Sequence, residues 1–355
     1  MRASLPRREG FAELMEFLCD GCGTALGTSA RHHCFDCAAD LCETCTRAER
    51  HRAGHTTGHT LGLFRHPPMP EGARFQEEVQ RFIAEVQRDH VYPGVNTYLG
   101  NTVLHTLLPL MQGAAAAPGA PPDERAVQMM EMFQAHIRRR AQGRFVDYFE
   151  RPPIQGRGVP DTVFALSQGV SDCMRWRGVP LFKTVFDLGL YPRLLADLRP
   201  RTLFECGTAS GGGALWLADQ LAALGIDCHI YTYDLVKPDL SHPGVTFLKG
   251  DSHRVQEVFP PELLSRAPHP WLFLEDAHVN LDGLLSYVHP FMNPGDYLVV
   301  EDPESGPVEK EGVRVEDQLG GFLWRHREAY RVDTFYTDFF GYNASCAMDA
   351  IFRRM

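Results

Sequence analysis

Apolar runs of strand length alternate with helical-period segments through the C-terminal half of the chain. Leu203 and Phe204 lead into Glu205, a glycine-rich turn spans Gly207 to Gly213, and Ala214, Leu217, Ala218, Leu221 and Leu224 recur at helical spacing. Four more strand-like runs follow: CHIYTYDL (228–235), VTFLKGDS (245–252), PWLFLEDAH (270–278) and DYLVVEDP (296–303). LDGLLSYVHPF and VEDQLGGFLWRHREAY have helical periodicity, and VDTFYTDFF with SCAMDAIFRR predicts a closing antiparallel pair turned by Gly341 and Asn343. Residues 156–355 therefore predict an α/β domain, a doubly wound sheet with helices on both faces.

The pattern changes upstream. HPPMPEG (66–72) reads as a linker. Phe75, Val79, Phe82, Ile83 and Val86 mark one face of a helix that Pro93 and Gly94 break. A second helix is predicted over Tyr98 to Met111, ending near Pro109, then a low-complexity loop, GAAAAPGAPP (113–122). Asp123 can cap a third helix whose apolar face holds Val127, Met130, Phe133 and Ile137. Residues 67–155 thus read as a helical linker or lid. Arg138, Arg139 and Arg140 fit a solvated helix end better than an anion site. Met129, Met130 and Met132 read as packing.

Composition narrows the class. The chain has 355 residues, 44% hydrophobic and 23% charged, as in globular proteins. A formal net charge of -10 argues against a nucleic-acid partner, whose footprint would be basic. The first residues lack the apolar core of a secretory signal, and no run is long enough to span a bilayer, so a cytoplasmic location away from membranes is expected.

Six of the ten cysteines fall between positions 19 and 45, as the C-x2-C pairs Cys19/Cys22, Cys34/Cys37 and Cys42/Cys45, with His51, His55 and His59 beyond them. Each pair offers half of a tetrahedral zinc site. Three pairs and two histidines make eight ligands, enough for two closed and therefore structural zinc ions, whose binding would supply folding free energy to a segment too short for its own core. CDGCGTALGTSARHHCFDCAADLCETC, followed by GHTTGHTLGLF, resembles a ZZ-type zinc finger, with the B-box close behind. The resemblance implies cross-bracing: one zinc on Cys19, Cys22, Cys42 and Cys45, the other on Cys34, Cys37, His55 and His59, with His51 able to replace a histidine. Such modules bind peptides or proteins. A finger over residues 1–66 that recruits a partner and one that packs on the rest of the chain are both open readings.

Polar residues gather at the predicted strand C-termini, where such sheets bind ligands. Asp234 is placed for the two hydroxyls of a ribose, and Asp251 and Ser252 for an adenine edge. The glycine turn by itself suits a dinucleotide dehydrogenase equally, but it does not read G-x-G-x-x-G. Glu205, just before its first glycine, suits a cationic methionine end better than a pyrophosphate. Glu275, Asp276 and His278 end one strand, and Glu301 and Asp302 the next. Carboxylates brought together need compensation, and Mg²⁺ supplies it through oxygen ligation. His278 stands where a general base would act; plain turn acids beside a surface histidine are the alternative.

MRWRGVPLFKTVFDLGLYPRLLADLRPRTLFECGTASGGGALWLAD, EDAHVN and GDYLVVEDP resemble the cephalosporin hydroxylase / rhamnosyl O-methyltransferase family over roughly residues 170 to 355. The resemblance implies a Rossmann-like class I methyltransferase sheet, S-adenosylmethionine as cofactor and, in many members, Mg²⁺. It places Glu205, Gly207, Ser210 and Gly211 along the methionine and ribose, Asp234 on the ribose, and Asp251 and Ser252 near the adenine. It puts the metal on the first residue of a D-S-x-H motif and on an E-D pair, here Glu275, Glu301 and Asp302. The chain reads E-D-A-H at that motif, so Asp276 is an alternative to Glu275. Trp176, Arg177 and Gly178 match a W-x-G segment near the active-site entrance.

The expectation is an O-methyltransferase acting on a hydroxyl of a small molecule, natural product or glycoside, free or tethered to a carrier or peptide. His278, Glu275 and Asp276 are the candidate catalytic residues. An N- or C-methyltransferase of the same fold, and a recruitment protein with a methyltransferase-like scaffold, are the alternatives. The resemblance also makes a homo-oligomer plausible.

Overall fold

The computed structural model describes residues 13–14, 17–26, 30–47, 58–65, 72–90, 133, 137, 140–151, 154–155, 157–303 and 314–355. The chain forms two compact units, Met1–Pro67 with Phe145–Met355, and Pro68–Arg144. The cysteine-rich segment and the C-terminal domain, separate parts in the sequence reading, lie within one unit. No helix among the described residues is long and apolar enough to cross a membrane.

In the second unit the helix Gly72–His90 has the expected apolar face: Val79, Phe82 and Ile83 are buried with Phe133 and Ile137, and Phe75 packs against them. The guanidinium of Arg140 lies over the ring of Phe82, 5.3 Å from its centroid. The predicted helix over Tyr98 to Met111, the loop at 113–122, Asp123, the methionine cluster, Arg138 and Arg139 lie outside the described residues.

In the first unit, strands β1 (Ala30–Cys34), β2 (Asp40–Leu41) and β3 (Leu61–Arg65) form a small antiparallel sheet in the order β2-β1-β3. A large sheet of eight strands follows: β4 (Phe145–Val146), β7 (Thr202–Cys206), β8 (His229–Asp234), β9 (Val245–Lys249), β10 (Trp271–Glu275), β11 (Tyr297–Val300), β12 (Tyr330–Asp333) and β13 (Ile351–Arg354). Strands β5 (Met174–Trp176) and β6 (Val179–Leu181) form a separate hairpin.

The order in the large sheet is β9-β8-β7-β10-β11-β13-β12-β4. Strands β7 to β11 run parallel, and β13, β12 and β4 add antiparallel pairings. The chain fills one side of β7 with β8 and β9, then crosses to lay β10 and β11 on the other. The switch point between β7 and β10 opens a crevice at the strand C-termini. Beneath it the Phe204 ring meets Trp271 and Phe259 edge-on, with centroids 4.8 and 5.0 Å apart.

Helix α1 (Val185–Leu198) begins with a capping box in which Thr184 and Asp187 satisfy each other's backbone N–H. Helix α2 (Gly212–Ala223) opens after Gly211, whose φ of +85° is left-handed. A Cβ on Gly212 would run into the carbonyl oxygen of Pro180, so the glycine run lets the loop close on β6. Helices α3 (Leu281–Val288) and α4 (Val315–Arg325) complete the elements that position the site.

Two differences from the sequence reading concern the sheet edge. The closing antiparallel pair forms between β12 and β13, but Thr334–Thr337 turns into a short helix, because the Asp333 carboxylate accepts from the Phe335 N–H at 3.1 Å. The end of the stretch read as helical also supplies β4, which extends the sheet beyond β12.

The small sheet shares the core of the large one. Phe35, 5% exposed, is buried with Phe149. Its ring lies so close to Gly62 on β3 and Gly320 on α4 that a Cβ at either would come within 2.5 Å of it. Beside it, Phe149 packs on Phe64 at 5.0 Å and Trp324 at 5.1 Å. A polar latch accompanies this plug. His33 donates from Nδ1 to Asp40 and from Nε2 to Asp317 on α4, each at 2.8 Å. Arg314 forks onto Asp317 at 2.8 and 3.1 Å, and Arg31 pairs with Asp40. Burial lowers the basicity of His33, but the hydrogen bonds to Asp317 and Asp40 outweigh it and raise the net value.

Candidate active site

A cleft of about 360 Å³ opens at the switch point. Glu205, at the end of β7, is buried in its wall and accepts a hydrogen bond from Thr232 Oγ1. Burial pushes its carboxyl up. Gly207 follows with φ +90°, and a Cβ there would meet the Asp276 carbonyl at 2.6 Å. The N–H groups of Gly207 and Thr208 donate to the Tyr233 carbonyl at 2.9 and 3.0 Å. Ser210 Oγ ties the loop to β6 through the Pro180 carbonyl at 3.0 Å. Asp234, at the end of β8, accepts from the Ala209 N–H at 2.8 Å and lines the cleft.

Asp251 and Ser252 stand at the end of the third strand, as the sequence reading expects. Asp251 accepts from the His253 N–H at 3.0 Å, and Ser252 Oγ meets the Tyr233 hydroxyl at 2.8 Å. Both line the cleft with Glu205, Gly207, Ser210 and Asp234. Gly211 sits behind the loop instead, against Leu240 and Phe247.

The acidic constellation divides in two. Asp276, His278 and Asp302 hold one ligand atom each within 4.8 Å of the others, a donor set for a cation. His278 Nε2 is 3.5 Å from Asp276 Oδ1, and Asp276 also lines the cleft. His278 and Asp302 both have left-handed backbones, φ 55° and 42°, and strain of this kind clusters at working sites. Glu275 lies behind this group, its Oε2 3.9 Å from His278 Nδ1. It is 0% exposed, and its Oε1 accepts from the N–H groups of Ala277 and His278 at 3.0 and 2.9 Å. Its Oε2 is buried without a hydrogen bond, and burial pushes the carboxyl up to about 7.

Glu301 is held by Lys183 Nζ on one oxygen and by the Tyr191 hydroxyl on the other. Lys183 also reaches Asp276 Oδ2 at 3.4 Å. Of the three acids expected on the metal, Asp302 alone therefore stands in the cluster, joined by Asp276, the alternative at the E-D-A-H motif. The sequence reading passed over Lys183 and Tyr191. One signal was available: a single lysine in the apolar run VPLFKTVF, which can be buried only beside an acid.

Trp176 and Arg177 both bind Asp219 of α2, the indole N–H at 2.7 Å and the guanidinium Nε at 2.7 Å. This fastens the β5–β6 hairpin over the helix that carries the glycine loop.

The cysteines gather as two groups. Cys19, Cys22, Cys42 and Cys45 offer sulfurs within 4.8 Å of one another, so the first and third pairs come together. Cys34, Cys37 and His59 form the second group, with Cys34 Sγ 3.6 Å from His59 Nδ1. His51 and His55 lie outside the described residues. All ten cysteines are free of disulfides.

Comparison with known proteins places this geometry. Residues 168–317 match the family model for Rhamnosyl O-methyltransferase/CmcI. A curated Rhamnosyl O-methyltransferase of Mycobacterium leprae (strain TN) is 26% identical over 142 residues, 36% of this chain and 59% of its own length. That of Mycobacterium bovis (strain BCG / Pasteur 1173P2) is 25% identical over 144 residues, 36% of this chain and 56% of its own. The chain thus spans under three-fifths of these relatives. A solved Mg-SAM structure of CmcI is 29% identical, with a TM-score of 0.44, covering 53% of this chain and 79% of that one. Over residues 168–317 the chain is thus similar to the Rhamnosyl O-methyltransferase/CmcI family, and its large sheet is a doubly wound α/β sheet.

Proposed function

We propose that this protein transfers the methyl group of S-adenosylmethionine to a hydroxyl of a small molecule, natural product or glycoside, with help from a divalent cation such as Mg²⁺. The observation that carries the reading is Asp276, which lines the cofactor-sized cleft and belongs to the cation donor set, so the two sites adjoin.

The residues fit both groups. Glu205, whose burial penalises its lone charge, gains from a cationic methionine end, and Asp234 offers carboxylate oxygens to ribose hydroxyls. Asp251 and Ser252 border the adenine end. Asp276 and Asp302 supply hard oxygen donors beside His278. When bound, the cation would hold the acceptor hydroxyl and favour its ionised form.

S-adenosylmethionine, held along Glu205 and Asp234, would supply a methyl carbon for in-line attack by the acceptor oxygen, its sulfur keeping the electron pair of the broken carbon–sulfur bond. The His278 imidazole, 3.5 Å from the cleft residue Asp276, would take the hydroxyl proton, its backbone fixed by the bond from its N–H to Glu275. Exposed Phe182 and Leu235 at the wall give the acceptor an apolar surface to lie on. Positioning supplies the larger part of the acceleration.

The cysteine groups hold two structural zinc ions in this reading, on Cys19, Cys22, Cys42 and Cys45, and on Cys34, Cys37, His59 and a further histidine, His55 or His51. Phe35 and His33 are spent on α4, which favours a finger that completes the enzyme over one that only recruits a partner. A carrier- or peptide-tethered substrate, a homo-oligomer and a cytoplasmic location accord with this reading.

Calorimetric titration of S-adenosylmethionine with and without Mg²⁺ tests the assignment, and absence of binding under both conditions would end it. Asp234→Ala should weaken cofactor binding by about 1–3 kcal/mol, the worth of hydrogen bonds to a charged group. Equal affinity in the variant would remove Asp234 from the ribose.

A further inference from the structure

Helix α3 begins on a residue that does not cap it. Asn280 stands at the N-cap, a position from which asparagine ordinarily accepts from the N–H groups of the first turn, yet its side chain makes no such bond. Its Nδ2 donates instead to the Ser252 carbonyl at 3.1 Å, at the wall of the cleft. The Asn280 backbone is left-handed, φ 52°, and a Cβ at Gly283 would come within 2.4 Å of Asn280 Oδ1, so the glycine leaves room for the diverted side chain. Helix α4 serves the turn in its place. Gln318 Oε1 accepts from the Asp282 N–H at 3.3 Å, and Arg325 pairs with the Asp282 carboxylate. Gln318 lies between the two points at which the cysteine-rich segment holds α4: Asp317, bonded to His33, and Gly320, against which the Phe35 ring lies. Contacts thus run without a break from Phe35 and His33 through α4 and the first turn of α3 to Ser252.

We propose that the cysteine-rich segment sets the adenine end of the cofactor cleft through these contacts, with Gln318 and Asn280 as positioning residues. The inference rests on the cofactor reading above. The physical reason is that the Asn280 side chain has two alternative partners, its own helix and Ser252. Leaving the Asp282 N–H unpaired is costly, and Gln318 pairs it only while α4 stays where Phe35 and His33 hold it. When α4 shifts, Asn280 turns back to cap α3 and releases Ser252, whose hydroxyl is tied to Tyr233 at 2.8 Å and whose neighbour Asp251 lines the same wall.

The experiment is calorimetric titration of S-adenosylmethionine into the full, zinc-loaded chain, with a melting curve for each variant. Asn280→Asp keeps a capping side chain that tolerates the left-handed backbone but loses the donor to Ser252. It should weaken binding about fivefold, the worth of one hydrogen bond, with the melting temperature unmoved. Gln318→Ala should weaken binding by about the same factor, and Gln318→Glu, which keeps the acceptor, should stay within about twofold of the unaltered protein. Gly320→Ala puts a Cβ into the Phe35 ring and pushes α4 aside, so a loss of about fivefold is expected, and adding Phe35→Leu, which removes the ring edge, should restore affinity to within about twofold. Unmoved affinity in Asn280→Asp or Gln318→Ala, or a loss in Gly320→Ala that Phe35→Leu does not relieve, would overturn the proposal. If a Gly320 variant does not fold, His33→Ala takes its place, with the same loss expected and unmoved affinity overturning the proposal. Binding by the unaltered protein with unmoved affinity in the variants defeats the positioning role and leaves the methyltransferase standing, whereas no binding by the unaltered protein defeats both.

Discussion

Phe35→Ala should destabilise the whole first unit by about 3–5 kcal/mol, the cost of deleting a buried phenylalanine ring. The upper end is expected here. Two of the groups against the ring are Gly62 and Gly320, which have no side chains to move into the cavity. The ring is buried with Phe149, whose other neighbours are Phe64 and Trp324, so its loss loosens the small sheet and α4 together. At roughly 2–4 °C per kcal/mol for a domain of this size, the melting temperature should fall by on the order of 10 °C in a single transition. Calorimetry with circular dichroism checks this. A transition of the large-sheet part that keeps its midpoint while only the cysteine-rich segment melts early would show the two parts to be energetically separate.

The second large effect concerns Glu275 and depends on pH. This carboxyl is 0% exposed and is held neutral up to about 7, against an ordinary value of 4.5, because burial penalises its charge. The unfolded chain loses that proton near 4.5, while the folded one keeps it to about 7. Between these values the folded state binds more protons, so stability falls as pH rises. At about 1.4 kcal/mol per pH unit the accumulated cost is ~3 kcal/mol above pH 7. Glu275→Gln keeps an oxygen to accept from the Ala277 and His278 N–H groups and carries no charge. It should be more stable than the unaltered protein by ~3 kcal/mol at pH 8 and equal to it near pH 4.5. Urea denaturation at the two values, without added Mg²⁺, measures the difference. An equal gain at both would mean that the charge of Glu275 is not what costs stability. Full turnover of the variant would place Glu275 outside the metal, as its turn toward the 277–278 backbone indicates.

The legible parts of this protein are local. The run from Thr202 to Gly213 announces a strand, a tight turn and a helix, because an apolar stretch, glycines and a 3.6-residue period follow one another without a break. The positions of Glu205, Asp234, Asp251 and Ser252 at strand ends follow from the same alternation, since parallel strands aim their C-termini at one edge of the sheet. The gathering of Cys19 and Cys22 with Cys42 and Cys45 is what the resemblance to a ZZ-type finger implies, and the four sulfurs do lie together.

What lay beyond the sequence is the set of contacts between residues far apart in it. Nothing local distinguishes Glu275 from Asp276, yet β10 ends by folding Glu275 onto the next backbone N–H groups and leaving Asp276 at the cleft, since successive side chains of a strand take opposite faces. Lys183 meets Glu301 across 118 residues, and His33 meets Asp317 across 284. Phe35 reads as one more residue of a zinc knuckle until Gly62 and Gly320 are seen to make room for it. By itself the sequence determined the elements, the loop that carries the site's glycines, and the chemical types of the residues at the strand ends. The tertiary structure alone decided which acid faces which cation, and that the small sheet belongs to the core of the large one. The physical reason is range: periodicity and turn chemistry act over a few residues, whereas buried charge pairing and ring packing depend on neighbours that only the folded chain brings within a few ångströms.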